Sequence, residues 1–124
     1  MSTTVRTTLA AGILTCLVVS AFPAVAAQYE RFAVPGWTIV GVWQQNYGID
    51  VQQVIERSKD GEYRLRYVTS KDPKSTKGPK TLRKEGSKYT IVGARFGDYM
   101  VMDGSELKTY DNDGYIDTLK PMRP

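Results

Sequence analysis

No histidine occurs in the 124 residues, and the only cysteine is Cys16. These absences exclude more functions than any motif present assigns. Without imidazole or thiol in the body of the chain, Ser-His-Asp and Cys-His nucleophilic sites cannot be assembled. Zinc sites built on His or Cys lose their ligands, and the commonest general base is missing. Carboxylates, Lys, Tyr and Ser/Thr remain for chemistry. A carboxylate-pair hydrolase is not marked out, because nearly every Asp and Glu lies beside a glycine or at a strand edge, where turns want them. The residues imply no cofactor and no metal, and a non-enzymatic protein is expected.

Long apolar runs are also scarce. One exists, the 13 uncharged residues Leu9 to Ala21. It follows a polar start carrying Arg6 and precedes Pro23 and the small residues Ala24-Val25-Ala26. That order is the pattern of a secretory signal peptide, residues 1–26, cut after Ala26 or alternatively after Ala27. An uncleaved anchor over Leu9 to Ala27 would be just long enough to span a bilayer, but Pro23 and the small residues oppose it. Lipidation at Cys16 is disfavoured because Thr15, Leu14 and Ile13 do not supply the small residue and spacing it needs. A periplasmic or secreted protein is expected, with no stable membrane span after cleavage. Cleavage removes Cys16, so the exported part has no disulfide. Small secreted domains usually need such staples. Their absence, with no Asn-x-Ser/Thr acceptor among only two Asn, points to a bacterial envelope.

What is present reads as one β domain, residues 37–124, after a lead-in over 27–36. Pro35-Gly36 is a turn signal. Trp37, Ile39, Gly41 and Trp43 alternate with Thr38, Val40, Val42 and Gln44, which predicts a strand with its first set on one face. Val51 to Ser58 fits either a strand or a helical turn. Tyr63, Leu65 and Tyr67 alternate with Glu62, Arg64 and Arg66, the pattern of a half-buried antiparallel strand with a charged outer face. Residues 56 to 68 predict a hairpin around Lys59-Asp60-Gly61. Further short strands fall at 81–85, 88–93, 96–102, 106–110 and 115–119. They are separated by Gly86-Ser87, Asp103-Gly104 and Asn112-Asp113-Gly114, with Gly97-Asp98 as a further turn signal. Turn signals at this spacing are those of all-β sandwiches and barrels. The expected fold is all-β: a small antiparallel meander of about six to eight short strands forming a compact barrel or two-layer sandwich. Trp37, Trp43, Tyr63 and Tyr67 are expected to fill its core.

Gly41-Val42-Trp43 resembles the Gly-x-Trp that opens lipocalin-type barrels. The resemblance implies a β-barrel. It assigns no site residue, and the exported length is short for an eight-stranded barrel around a ligand cavity. Asp111-Asn112-Asp113-Gly114-Tyr115-Ile116-Asp117 has the look of a calcium loop, yet alignment on Gly114 puts Thr109 first and Lys120 twelfth, where a bidentate Glu is required. A hairpin turn explains the same residues better.

Charge is segregated. Arg57 to Arg95 holds 12 Lys/Arg against 4 Asp/Glu, whereas Phe96 to Pro124 holds 3 against 6. Residues 70–80 carry no apolar side chain apart from prolines and are expected to form an exposed, mobile basic loop. Lys71, Lys74, Lys77 and Lys80 recur there every three residues, followed by Arg83 and Lys84. Such a run suits a protein partner or an anionic envelope polymer, although lysines also guard sheet edges. Nucleic acid is the least favoured partner, for want of a recognised motif, and the oligomeric state is open. Tyr47, Tyr99, Tyr110 and Tyr115 fall near turns, and exposed tyrosines make good interfaces. The candidate binding residues are Lys71, Lys74, Lys77, Lys80, Arg83, Lys84, Tyr47 and Tyr99. The expected function is an exported binding protein, one version being a hydrolase inhibitor. The alternative is a small apolar-ligand carrier with a cavity lined by Trp37, Trp43, Tyr63 and Tyr67.

Overall fold

The structure is a computed structural model that describes residues 29–123. The predicted leader, with Cys16 and both cleavage positions, lies outside the described residues. The chain divides into units Met1–Glu30 and Arg31–Pro124, and the second holds the β domain. A 3-10 turn, Glu30–Phe32, precedes eight strands: β1 (Trp37–Gln44), β2 (Gln52–Ser58), β3 (Tyr63–Val68), β4 (Lys80–Glu85), β5 (Lys88–Ile91), β6 (Tyr99–Asp103), β7 (Glu106–Asp111) and β8 (Gly114–Pro121). Each pairs antiparallel with the next, and β8 returns to β1 through Trp43↔Pro121 and Gln44↔Lys120, closing a barrel. The ambiguous stretch before Ser58 is therefore a strand. Its two faces are both buried except at Arg57, so neither alternation nor helical period is visible in its sequence.

The middle of the barrel is filled by one side chain from each strand. Trp43, Ile55, Leu65, Leu82, Tyr89, Met100, Leu107 and Leu119 form the core cluster, each almost fully buried. This is the period-two consequence of a closed meander: every strand turns alternate residues inward. Burying a Leu or Ile side chain contributes roughly 1.5–3 kcal/mol, so this ring of eight is the main source of stability. Tyr63, Ile91 and Met102 pack against it from the ends.

The loops β1–β2, β3–β4, β5–β6 and β7–β8 emerge at one end of the barrel, and the tight hairpins β2–β3, β4–β5 and β6–β7 at the other. Trp43 plugs the hairpin end. Its indole N–H donates to the Ser105 carbonyl in the β6–β7 turn at 2.9 Å. Its ring lies over Gly41, where an added Cβ would stand 2.5 Å from a ring carbon. The Gly-x-Trp pattern thus has a steric meaning in this chain: the glycine makes room for the ring.

Two expectations about faces are corrected. A β-bulge between Ile39 and Gly41 interrupts the alternation of β1. Gly41 opposes the inward Ile55, but Ile39 opposes Glu56 and Trp37 opposes Ser58, on the outer face. Trp37 therefore lies outside the barrel, with the Arg64 guanidinium stacked 3.9 Å from its ring centroid. The extra residue, Val40, makes the two halves of β1 face opposite ways. Tyr67 points inward but sits at the loop end and is 43% exposed. Of the four aromatics expected in the core, Trp43 is there and Tyr63 borders it.

The outer face of β1–β3 is a second buried layer. Val42, Val54 and Val68 are buried there, together with Gln52, Glu56 and Arg66. Val42, Val54 and Arg66 form one cross-strand row, and Ile39, Glu56 and Arg64 the next. The charged face predicted for β3 is thus not solvated: Arg66 is 0% exposed.

Candidate functional site

Arg66 organises the covered face. Its guanidinium pairs with the buried Glu56 carboxylate, which also accepts from Arg64 Nε at 2.8 Å. Its other donors go to backbone carbonyls: Phe32 in the lead-in, and Ser75 at 2.9 Å and Pro73 at 3.3 Å in the β3–β4 loop. Five N–H groups in a planar fork can serve several acceptors at once, which lysine cannot do. The β3–β4 loop is further closed by a Thr69↔Asp72 bridge and a Ser75 N–H to Asp72 carbonyl bond of 3.3 Å. Asp50 fastens it to the β1–β2 loop, accepting from the Ser70 hydroxyl at 2.7 Å, the Ser70 N–H at 3.1 Å and Gln52 Nε2 at 3.0 Å. The Gln52 and Ser70 hydrogen bonds hold the Asp50 carboxyl below its ordinary range, with a smaller contribution from Lys71. The basic loop is exposed as expected, and its backbone is anchored while its lysines face outward.

The eight candidate binding residues do not converge on one patch. Lys71, Lys74 and Lys77 lie on the anchored loop, and Lys80 begins β4 beside it; all four are exposed. Lys74 Nζ donates to the Ala33 carbonyl at 2.9 Å, so it fastens the lead-in to the loop. Arg83 and Lys84 leave opposite faces of β4. Arg83 pairs with Glu85 at 3.0 Å on the outside. Lys84 turns over the hairpin end, about 6 Å from the Tyr63 and Tyr89 rings, and donates to the Gly86 carbonyl at 2.7 Å. Tyr47 is 84% exposed on the β1–β2 loop, with a left-handed φ of 68° that is uncommon for a residue other than glycine. Tyr99 belongs to a different surface, on β6.

That surface is a cross-strand row on the outer face of β4–β8: Arg83, Thr90, Tyr99, Tyr110 and Tyr115 are successive register partners. Tyr99 and Tyr110 stack with centroids 4.9 Å apart and planes 7° from parallel, and Tyr115 meets Tyr110 edge-on. Lys88 Nζ lies 4.4 Å from the Tyr99 centroid. Because the two central rings stack on each other, they present edges rather than faces to solvent, and only Tyr115 is largely exposed, at 59%. Nearness to turns singled out these tyrosines in the sequence, but their common row depends on register, which the sequence does not display.

The third feature is a recess of 160 Å³ at the loop end of the barrel. Gln53, Tyr67, Ile91, Met100 and Thr109 line it from the inner faces of their strands, with Asp98 and Ile116 at its edge. Gln53 is buried and its amide donates to Gln45 Oε1 at 2.8 Å. The Thr109 hydroxyl donates to the Asp117 carbonyl at 3.3 Å. Partial burial raises the Tyr67 phenol above its ordinary pKa, and the negative charge of Asp98 adds to the effect. Asp98 is held by its loop: its carbonyl accepts from Ile91 N–H at 3.0 Å, and neighbouring Gly97 lies so close to Asn112 that a Cβ would overlap the amide. In the sequence Asp98 reads as a turn residue after Gly97, which hides its place at the recess. The β7–β8 stretch with the calcium-loop look is a hairpin turn, in which Asp111 Oδ1 accepts from Asp113 N–H at 2.8 Å.

Among the described residues, no helix is long and apolar enough to cross a membrane. Compared with protein-family models, with curated proteins and with solved structures, the chain matches none.

Proposed function

We propose that this protein is an exported, non-enzymatic binding protein of a bacterial envelope. In this reading the anchored basic loop engages an acidic protein face or an anionic envelope polymer. The observation that carries this reading is the buried Arg66, which spends two hydrogen bonds on the carbonyls of Pro73 and Ser75. Burying an ion pair is seldom a route to stability, because desolvation offsets most of the Coulombic gain. A loop that served only to keep the chain soluble would not need its backbone fixed. Fixing it lowers the ordering entropy lost on binding and holds Lys71 and Lys77 in a set geometry beside Lys80. A hydrolase inhibitor acting through charge complementarity is one form of this function.

Two other readings find less support. A carrier of apolar ligands calls for a cavity of at least ~300 Å³. The barrel middle is instead filled by its eight core side chains, and the recess is 160 Å³. A carboxylate-pair enzyme needs two carboxyl groups in one concavity, and among the described residues Asp98 is the one carboxylate lining the recess.

The test is capture from envelope extract by the wild-type chain and by a Lys71→Ser, Lys77→Ser, Lys80→Ser variant, with Lys74 kept because it fastens the lead-in. The captured set is expected to shrink in the variant and, for wild type, to fall off as salt is raised past the point where surface charges are screened. An unchanged set would refute the loop as the working surface.

A further inference from the structure

The recess at the loop end of the barrel has a chemistry of its own, independent of the basic loop. Its polar atoms are mostly acceptors. Asp98 contributes a carboxylate. The Gln53 amide has committed an N–H to Gln45, which leaves its oxygen for a ligand. Thr109 has committed its hydroxyl proton to the Asp117 carbonyl, so its oxygen is also an acceptor. Tyr67 adds an aromatic ring and a phenol oxygen. Among the described residues, no Lys or Arg lines the recess. Its apolar wall is formed by Ile91, Met100 and Ile116, and Tyr99 and Tyr110 complete the lining. The volume, 160 Å³, is about half of the ~300 Å³ at which drug-sized ligand pockets begin, so it suits a short group rather than a lipid or a drug-sized ligand.

We infer that this recess is a binding site for a primary alkylammonium group, whose –NH₃⁺ meets the Asp98 carboxylate and the Gln53, Thr109 and Tyr67 oxygens while its short alkyl chain lies against Ile91, Met100 and Ile116. Three donors on a compact cation match a cluster of acceptors better than a neutral or anionic group does. A cation beside a tyrosine ring gains further from the ring quadrupole. The same chemistry is offered by a free small amine and by a lysine side chain of a protein partner. Exposed apolar side chains stand beside the lining residues, Val92 next to Ile91 and Phe96 on the loop that carries Asp98, at 53% and 61% exposure. They give a partner's surface something to rest on around an inserted lysine.

The experiment titrates the full chain with pentylammonium, pentanol and pentanoate and follows backbone amide resonances. Pentylammonium is expected to shift the amides of Ile91, Asp98, Tyr99 and Thr109 saturably. Pentanol is expected to bind at least about tenfold more weakly and pentanoate not measurably, since each tenfold corresponds to ~1.4 kcal/mol of lost charge recognition. Asp98→Asn should weaken pentylammonium at least tenfold, and Tyr67→Phe severalfold. Asp113→Asn, on the neighbouring turn, should leave its affinity unchanged. Equal binding of pentanol, an unaffected Asp98→Asn variant, or no saturable shift at these amides would each overturn the site. Acetyl-lysine methylamide (acetylated on its α-amino group, with the side-chain ammonium free) separates the sources. Competition with pentylammonium points to a partner's lysine, and exclusion while pentylammonium still binds points to small free amines. The lysine-loop variant should bind pentylammonium as wild type does, so failure of the loop reading and failure of this site are distinguishable.

Discussion

The outer faces of β1–β3 and of β5–β8 begin from the same rule and end as opposites. In both, residues alternate with a shared interior ring of Trp43, Ile55, Leu65, Tyr89, Met100, Leu107 and Leu119. On β1–β3 the outward residues are buried: Val42, Val54, Glu56 and Arg66 are all at 0% exposure. On β5–β8 they form a tyrosine row open to solvent at Tyr115. The difference lies in what the chain lays across each. Two segments, the lead-in and the β3–β4 loop, meet the Arg66 guanidinium through their carbonyls. The β6–β7 and β7–β8 connections are two residues each, and that face covers itself by stacking ring on ring. A strand's outward side chains acquire their role from the loops, not from the strand.

The covered face depends most sharply on one residue. Arg66→Ala should destabilise the fold by about 3–5 kcal/mol, because it strands the Glu56 carboxylate beside a single remaining partner and leaves buried carbonyls without donors. Denaturant melts would measure the loss. Replacing both partners, Arg66→Met with Glu56→Leu, should restore stability to within about 1–2 kcal/mol of wild type, since well-packed apolar pairs replace buried ion pairs at little cost. The double variant should still be cut by trypsin within residues 70–80 much faster than wild type. A double variant as resistant as wild type would mean that the loop is held without Arg66, and the contrast between the faces would lose its cause.

The boundary between inner and outer layers is set at Gly41, so a smaller perturbation there separates the two. Gly41→Ala brings a methyl to 2.5 Å from the Trp43 ring and should cost about 1–3 kcal/mol by overpacking. Tryptophan fluorescence should shift as the Trp43 plug is displaced, while trypsin resistance of the 70–80 loop stays intact. Loss of loop protection in this variant would show the two layers to be one cooperative unit.

Much of this architecture is legible in the sequence, and the parts that are not have physical causes. The β2–β3 hairpin, the turns at Gly86, Gly104 and Gly114 and the all-β class follow from local patterns. The closed barrel settles a choice with a sandwich that local patterns leave open. The fate of Trp37 does not follow either, because a bulge at Val40 is one inserted residue that leaves no mark in composition yet reverses every side chain before it. Arg66 and Arg64 read as a solvated stripe because alternation says which residues face away from the core, not whether something else covers them. Asp98, Gln53 and Tyr67 meet from two strands and a loop, and only register and closure bring them to one recess.

On the open face the expected effect is smaller still. Tyr110→Ala removes the ring shared by Tyr99 and Tyr115 and should cost about 0.5–1.5 kcal/mol beyond the lost burial. It should leave both the Trp43 emission and the 70–80 loop untouched. Calorimetric melts of this variant beside the Arg66 variants would rank the two faces directly.

The smallest effect concerns the link between the β1–β2 and β3–β4 loops. Asp50 is exposed and its carboxyl is held below the ordinary aspartate range by hydrogen bonds from Gln52 and Ser70. A carboxyl with a lowered folded pKa contributes stability that is fully present above its unfolded value and disappears as pH falls through the lower folded value. Wild type should therefore lose this contribution only below about pH 4, whereas Asp50→Asn should already lack it at neutral pH, a small loss, and show none of that part of the acid dependence. Proteolysis of the 70–80 loop across the same acid range is the sharper readout, with an acid-stable protease. If Arg66 alone shapes the loop, acid leaves its protection unchanged. If Asp50 shares the work, cleavage rises on acidification in wild type, and Asp50→Asn is cut at the faster rate at every pH.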